Sequence, residues 1–88
     1  MVGEGDYIAV FNSIHRVMKA EQYLKERRLP ILLIPAPRAV SADCGLAIRY
    51  AEVDRDGVER TLREADLLPE TVFVRRGEFY LATRNGEV

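Results

Sequence analysis

The chain has 88 residues, of which 13 are lysine or arginine and 14 are aspartate or glutamate, giving a formal net charge of -1 at pH 7. This length predicts a single domain, residues 1–88, with a shallow site. The near-neutral charge argues against nucleic-acid or anionic-membrane binding. One cysteine and one histidine cannot supply an internal disulfide or a four-ligand zinc site. We expect no cofactor, no metal and, without a signal-peptide pattern or a membrane-length apolar run, a reducing cytoplasmic location.

The first third of the chain predicts a strand, a helix and a second strand. Residues 7–11 are a short run of β-forming side chains between polar residues, which is typical of a buried strand. From Ile14 the apolar side chains recur at helical spacing, and Asn12 or Ser13 can cap that helix. Residues 31–34 are apolar on both faces, as in a covered strand.

The rest of the chain predicts a third strand, a second helix and a hairpin. Residues 46–53 alternate between the two faces of a strand. Asp54 then offers an N-cap for a second amphipathic helix. Residues 71–74 and 79–82 read as strands around a tight turn in which Gly77 supplies a positive φ.

The element order β-α-β-β-α-β, followed by a C-terminal hairpin, predicts an α+β fold of the ferredoxin-like split βαβ type. In this fold two helices pack on one face of an antiparallel sheet. The opposite face should be polar in a monomer, yet the first two strands are apolar on both faces. We therefore expect that face to be covered by a second copy of the chain, as a homodimer, or by the C-terminal hairpin.

Cys44 is the only cysteine and lies in the small, polar segment 41–45, between the predicted second and third strands. A thiol on a glycine-flanked loop is accessible to other molecules. In the split βαβ topology this loop lies at the same end of the sheet as the turn into the first helix. We expect Cys44 to face Asn12, Ser13 and His15, and the free N–H groups of the helix to stabilise a thiolate.

Other residues near this loop are weaker candidates for a role in the site. Arg38 would add to the stabilisation of a thiolate, whereas Asp43 would oppose it. Gly45 leaves room for a ligand or for a partner's cysteine, although glycine is also the usual residue of a turn before a strand. His15 could carry a proton, but a histidine on a helix surface is the commoner case. A lone loop cysteine is also often only a tolerated small residue.

Three segments resemble those of one known family: residues 7–15 leading into 19–21, residues 33–38 and residues 41–49. The most specific part is a Pro-x-Pro-Arg motif at 35–38 followed by Ser-x-x-Cys-Gly at 41–45. The chain resembles the DUF3343 family, small bacterial proteins described as selenium/sulfur carrier-like. The resemblance implies that Cys44 carries a chalcogen as a persulfide or perselenide, with donor and acceptor proteins as partners, and it brings no established cofactor.

A carrier needs only an accessible thiolate, and the chain has no recognisable Ser/His/Asp or Cys/His/Asn constellation. We therefore expect a non-catalytic carrier or binding protein rather than an enzyme. Two alternatives stay open. One is a small-molecule-binding or regulatory ferredoxin-like module without covalent chemistry, and the other is a structural adaptor that docks on an enzyme through its sheet or an exposed edge.

Overall fold

Five strands and two helices make up the part of the chain that the computed structural model describes, residues 2–40 and 44–83. The elements are β1 (Tyr7–Val10), α1 (Ile14–Glu26), β2 (Leu32–Pro35), β3 (Leu46–Tyr50), a 3-10 turn (Glu52–Asp54), α2 (Arg55–Glu64), β4 (Thr71–Arg76) and β5 (Phe79–Thr83). The strands form one sheet in the order β2-β3-β1-β4-β5, and every neighbouring pair is antiparallel. The predicted α+β fold with two helices and an antiparallel sheet is confirmed.

Local signals set the start of α1 and the C-terminal hairpin. Ser13 is the N-cap of α1, and its Oγ accepts a hydrogen bond from the N–H of Arg16 at 3.2 Å, which satisfies one of the unpaired donors of the first turn. Of the two predicted caps, Ser13 is therefore the one used. Gly77 has a φ of 61° in the turn between β4 and β5, as the hairpin requires.

The third strand is shorter than its alternating pattern predicts. β3 ends at Tyr50, and the N–H of Asp54 bonds to the carbonyl oxygen of Ala51 at 3.0 Å, closing the 3-10 turn that precedes α2. Val53 is 86 % exposed in this turn. The alternation of residues 46–53 therefore does not correspond to burial at its C-terminal end. Asp54 stands at the N-cap of α2 as expected, but its side chain makes no capping hydrogen bond.

The main core lies between the helices and one face of the sheet. Its central helix residues are Val17, Ala20 and Leu24 of α1 with Val58 and Leu62 of α2, and its strand residues include Tyr7, Ala9, Ile48, Tyr50, Val72 and Val74. Each fully buried large apolar side chain contributes about 1.5–3 kcal/mol to folding. Both helices are therefore held on the sheet through one shared cluster. Within the described residues, neither helix is long and apolar enough to span a membrane.

The opposite face of the sheet is covered by loop residues of the same chain. Ile8, Val10, Ile34 and Ala47 are buried there together with Val2 and Val40, while Tyr80 of β5 packs at the margin. Val2 belongs to the segment before β1, and Val40 to the loop after β2. The sheet face is covered, as expected, but by two loop valines that the sequence did not predict, because single valines in loops carry no periodic signal.

Candidate functional site

Cys44 lies immediately before Gly45 and β3, and its side chain is half-buried. Its Sγ lies 3.6 Å from the carbonyl oxygen of Phe11 and 3.4 Å from that of Leu46. Phe11 directly follows β1 and precedes the cap of α1. The structure therefore brings the thiol to the junction of β1 and α1.

Within residues 2–40 and 44–83, the hydrogen-bond partners of the sulfur are backbone carbonyl oxygens. A thiol donates weak hydrogen bonds to such oxygens, and the geometry of Cys44 is that of a donor to Phe11 and Leu46. A thiolate has no proton to donate, so ionisation would remove both bonds. Of the N–H groups in the first turn of α1, that of Arg16 is bonded to Ser13 Oγ.

Gly45 closes the base of the loop that carries Cys44. Its carbonyl oxygen accepts a hydrogen bond from the N–H of Ala36 at 2.9 Å, which extends the ladder of β2 and β3 by one step beyond the Pro35–Leu46 pair. Gly45 has a φ of 74°, and a Cβ built there would meet no described residue within 4 Å other than its chain neighbours. The position therefore favours glycine for its backbone conformation and has open space around it within the described part of the chain.

Substituting Gly45 by alanine is expected to lower the free energy of unfolding by about 1 kcal/mol, because an L-residue in the left-handed region is strained. Asparagine tolerates this region better, so the matched variant Gly45→Asn should lose less. Urea unfolding followed by circular dichroism measures both. Equal stability of Gly45→Ala and the wild type would contradict this account of the loop base.

Among the described residues, none of the other predicted site residues hydrogen-bonds to the sulfur. Ser13 uses its Oγ to cap α1. His15 on α1 and Arg38 in the turn after β2 are both exposed, and neither side chain hydrogen-bonds to another described residue. Ser41 and Asp43 lie outside the described residues. The arrangement therefore joins Cys44, Gly45 and the junction of β1 and α1, with His15 and Arg38 on the surrounding surface.

A second polar cluster lies at the other end of the same strands, and we call it the tyrosine–arginine cluster: Tyr7, Tyr50, Glu52, Arg55 and Glu59. Tyr7 and Tyr50 are directly paired between β1 and β3, and their rings stack with centroids 5.7 Å apart. The hydroxyl of Tyr7 donates to Glu52 at 2.8 Å and accepts from Arg55 at 3.1 Å. The Arg55 guanidinium lies 4.6 Å from the Tyr7 ring centroid and bonds to Glu59 at 3.0 Å.

Burial and neighbouring charges together shift the pKa values of this cluster. It raises the pKa of Tyr50, whose side chain is fully buried, and the charge of Glu59 acts in the same direction. Burial also raises the pKa of Tyr7, together with the hydrogen bond to Glu52. For Arg55, burial lowers the pKa, but the hydrogen bond and charge of Glu59 outweigh it and the pKa lies above its ordinary value. The Tyr50 hydroxyl has no hydrogen-bond partner among the described residues.

Sequence reasoning missed two parts of this structure. The acceptors around Cys44 are backbone carbonyl oxygens of Phe11 and Leu46, which no side-chain pattern encodes. The tyrosine–arginine cluster had one usable signal, the spacing of four residues between Arg55 and Glu59 on a predicted helix.

A cleft of about 430 Å³ opens on the face of the sheet away from the helices. Its lining residues are Val2, Pro35, Pro37, Arg75, Glu78 and Tyr80. Arg75 already donates to the carbonyl oxygens of Val2 and Gly77. The cleft begins beside the loop of Cys44 at Pro35 and Pro37, but Cys44 itself does not line it.

Comparison with known proteins identifies the family to which the chain belongs. Residues 6–74 match the sequence model of a family described as "Putative Se/S carrier protein-like". The chain is also 32 % identical over 66 residues to the uncharacterized protein MJ0011 of Methanocaldococcus jannaschii, a match that covers 75 % of this chain and 33 % of that protein. The chain thus spans about a third of the length of this curated relative, and no solved structure matches it significantly. The family match confirms the expectation drawn from the motifs at 35–38 and 41–45: the chain belongs to the Se/S carrier protein-like family.

Proposed function

We propose that the protein carries one sulfur or selenium atom on Cys44, as a persulfide or perselenide, from a donor protein to an acceptor protein. The observation that carries the proposal is the position of the Cys44 thiol: half-buried, beside the junction of β1 and α1, within the part of the chain that matches the carrier-like family. The open space at Gly45 supports it, since a partner's cysteine can approach from that side.

The loading step is a thiol exchange that balances without a further oxidant. The Cys44 thiolate attacks the outer sulfur of a donor persulfide, R–S–SH. A new S–S bond forms on Cys44, the donor's S–S bond breaks, and the donor leaves as the thiolate RS⁻. Delivery is the same exchange in reverse order: the acceptor thiolate attacks the outer sulfur, and Cys44 leaves as the thiolate.

Half-burial of the sulfur suits such an exchange. In the resting thiol the proton is directed to the carbonyl oxygens of Phe11 and Leu46. Loss of that single proton to solvent ends its hydrogen bonding to these oxygens, which frees the sulfur to move outward toward a donor. The carrier then needs no general acid or base of its own, because the attacking and leaving groups are both thiolates.

The test is intact-mass spectrometry after incubation with a cysteine desulfurase and either cysteine or selenocysteine, without added reductant. We expect the mass of one added sulfur or selenium atom on the wild-type chain and none on Cys44→Ser. Subsequent addition of a thiol-containing acceptor should remove the added atom. A wild-type chain that stays unmodified would refute the carrier function.

A relocated thiol provides the matched control. The double variant Cys44→Ser/Leu68→Cys puts the single cysteine at an exposed position elsewhere on the surface. We expect this variant to load at least tenfold more slowly than the wild type, because its thiol lies away from the junction of β1 and α1 and from the carbonyl oxygens that contact Cys44. Equal loading of the two thiols would mean that accessibility alone, and not the site, accounts for the adduct.

We also assign the domain to the ferredoxin-like split βαβ arrangement. The position of β1 between β3 and β4 supports this assignment, as does the shared core cluster of the two helices. A homodimer through the sheet face has less support than the sequence suggested, because Ile8, Val10 and Ile34 on that face are already buried by the chain itself.

A second candidate is a small-molecule-binding module without covalent chemistry. The cleft of about 430 Å³ favours it, since its volume falls in the range of ligand sites. Failure of Cys44 to load in the mass experiment would leave this candidate as the better one.

A further inference from the structure

The most exposed large aromatic side chain among the described residues lies on the edge strand β5. Phe79 is 71 % exposed and Leu81 is 52 % exposed. Leu81 is paired with Val74 of β4, which is buried in the cluster beneath the helices. Phe79 and Leu81 therefore lie on the helix side of the sheet, where they form an apolar stripe along the edge strand.

The two edges of the sheet differ in their protection. Soluble proteins protect edge strands with charges, prolines or bulges, because unpaired N–H and C=O groups attract another strand. β2, at one edge, ends in Pro35, and Pro30 and Pro37 stand on either side of it. β5, at the other edge, has the sequence Phe-Tyr-Leu-Ala-Thr with neither a charge nor a proline, and its described neighbour is β4 alone.

We propose that β5 is the contact surface for a second copy of this chain, which pairs antiparallel to it across a two-fold axis at Leu81. This register places large residues opposite smaller ones, Phe79 beside Thr83 and Tyr80 beside Ala82 of the other copy, with the two Leu81 side chains in contact. It also brings no two charges together within β5. Such self-complementarity is what a two-fold interface requires.

The backbone of β5 supports the same register. A turn of two residues closes on the Arg76–Phe79 pair, and in an antiparallel ladder every second residue directs its N–H and C=O toward the same neighbour. Tyr80 and Ala82 then direct theirs outward, where each would exchange two hydrogen bonds with the other copy. The two Leu81 residues form a non-hydrogen-bonded pair, in which side chains approach most closely.

The size of the contact predicts a weak dimer. A large side chain has an accessible surface of roughly 200 Å². The exposed surface of Phe79 and Leu81 in two copies therefore totals roughly 500 Å². Even with the adjoining backbone, the total stays below the roughly 1,200 Å² of a stable interface. We expect a reversible dimer with a dissociation constant of roughly 0.1–1 mM.

Sedimentation equilibrium of the full chain under reducing conditions, from about 10 μM to about 1 mM, tests the proposal. The wild type should shift from monomer to dimer over this range. Leu81→Lys and Leu81→Glu should each stay monomeric, because each would place like charges directly opposite at the axis. An equimolar mixture of the two variants should recover the dimer, since residue 81 then meets its opposite charge.

Leu32→Lys is the matched control, because Leu32 is an exposed leucine on the opposite edge strand. This variant should keep the wild-type dissociation constant within twofold. A wild type that is monomeric throughout, a mixture no more associated than its components, or a Leu32→Lys variant that loses the dimer would each overturn the proposal. The experiment does not involve the chemistry of Cys44, so its result is independent of the carrier function.

Discussion

Replacing Arg55 by methionine is expected to lower the free energy of unfolding by about 3 kcal/mol. The residue is only 9 % exposed, and its guanidinium bonds to the Tyr7 hydroxyl and to Glu59 while lying over the Tyr7 ring. Methionine preserves the apolar stem but leaves the Glu59 carboxylate and the Tyr7 hydroxyl without this donor. Removing one partner of a largely buried ion pair costs more than the pair itself contributes, because the remaining charge stays desolvated.

Chemical unfolding followed by circular dichroism measures this loss. Arg60→Met is the matched control, since Arg60 is exposed on the same helix, and it should change stability by less than about 0.5 kcal/mol. The double variant Arg55→Met/Glu59→Met should recover part of the loss, because it removes the unpaired carboxylate as well. If Arg55→Met were no less stable than Arg60→Met, the tyrosine–arginine cluster would have no structural role.

The sequence predicts those features of the fold that depend on nearby residues. Ser13 as the cap of α1 and Gly77 in the hairpin turn follow from local chemistry. The end of β3 does not, because alternation continues to Val53 while a backbone hydrogen bond from Asp54 to Ala51 closes a turn. Topology alone leads one to expect Cys44 near Asn12, but its hydrogen-bond acceptors are backbone oxygens, which have no sequence signature.

The covering of the second sheet face is another feature that pattern analysis cannot find. Val2 and Val40 are single apolar residues in irregular segments, yet both are buried against the face of β1 and β2. The apolar pattern of the first two strands predicts correctly that this face is covered. It points to a second copy or to the hairpin as the cover, because only regular elements give a periodic signal.

The two ends of the β1–β3 ladder have different physical roles. At one end, Tyr7 opposite Tyr50 is held by ring stacking and by the bonds of Arg55 and Glu52. At the other end, Cys44 packs against the edge of the main core cluster, and its described hydrogen-bond partners are carbonyl oxygens, which a thiol binds weakly. The tyrosine end fixes the register of the strands through these contacts, so the hydrogen bonds of the Cys44 end are not needed to hold the β1–β3 pairing.

Substituting Tyr50 by phenylalanine is expected to raise the free energy of unfolding by about 1–2 kcal/mol. The Tyr50 hydroxyl is buried without a hydrogen-bond partner among the described residues, and an unsatisfied buried group costs about 1–3 kcal/mol. Phenylalanine keeps the ring that stacks on Tyr7. The matched variant Tyr7→Phe should instead lower stability by about 1–2 kcal/mol, because that hydroxyl bonds to both Glu52 and Arg55.

The advantage of Tyr50→Phe should grow with alkaline pH. Burial raises the pKa of Tyr50 above its ordinary value of 10.0, so above about pH 10 the unfolded chain loses a proton that the folded chain keeps. The folded state then binds more protons, and wild-type stability falls as pH rises. Tyr7 titrates in both proteins and its contribution cancels. Unfolding curves between about pH 8 and pH 11 should therefore diverge by up to about 1.4 kcal/mol per pH unit above pH 10, whereas parallel curves would show that the Tyr50 hydroxyl is hydrated in the folded protein.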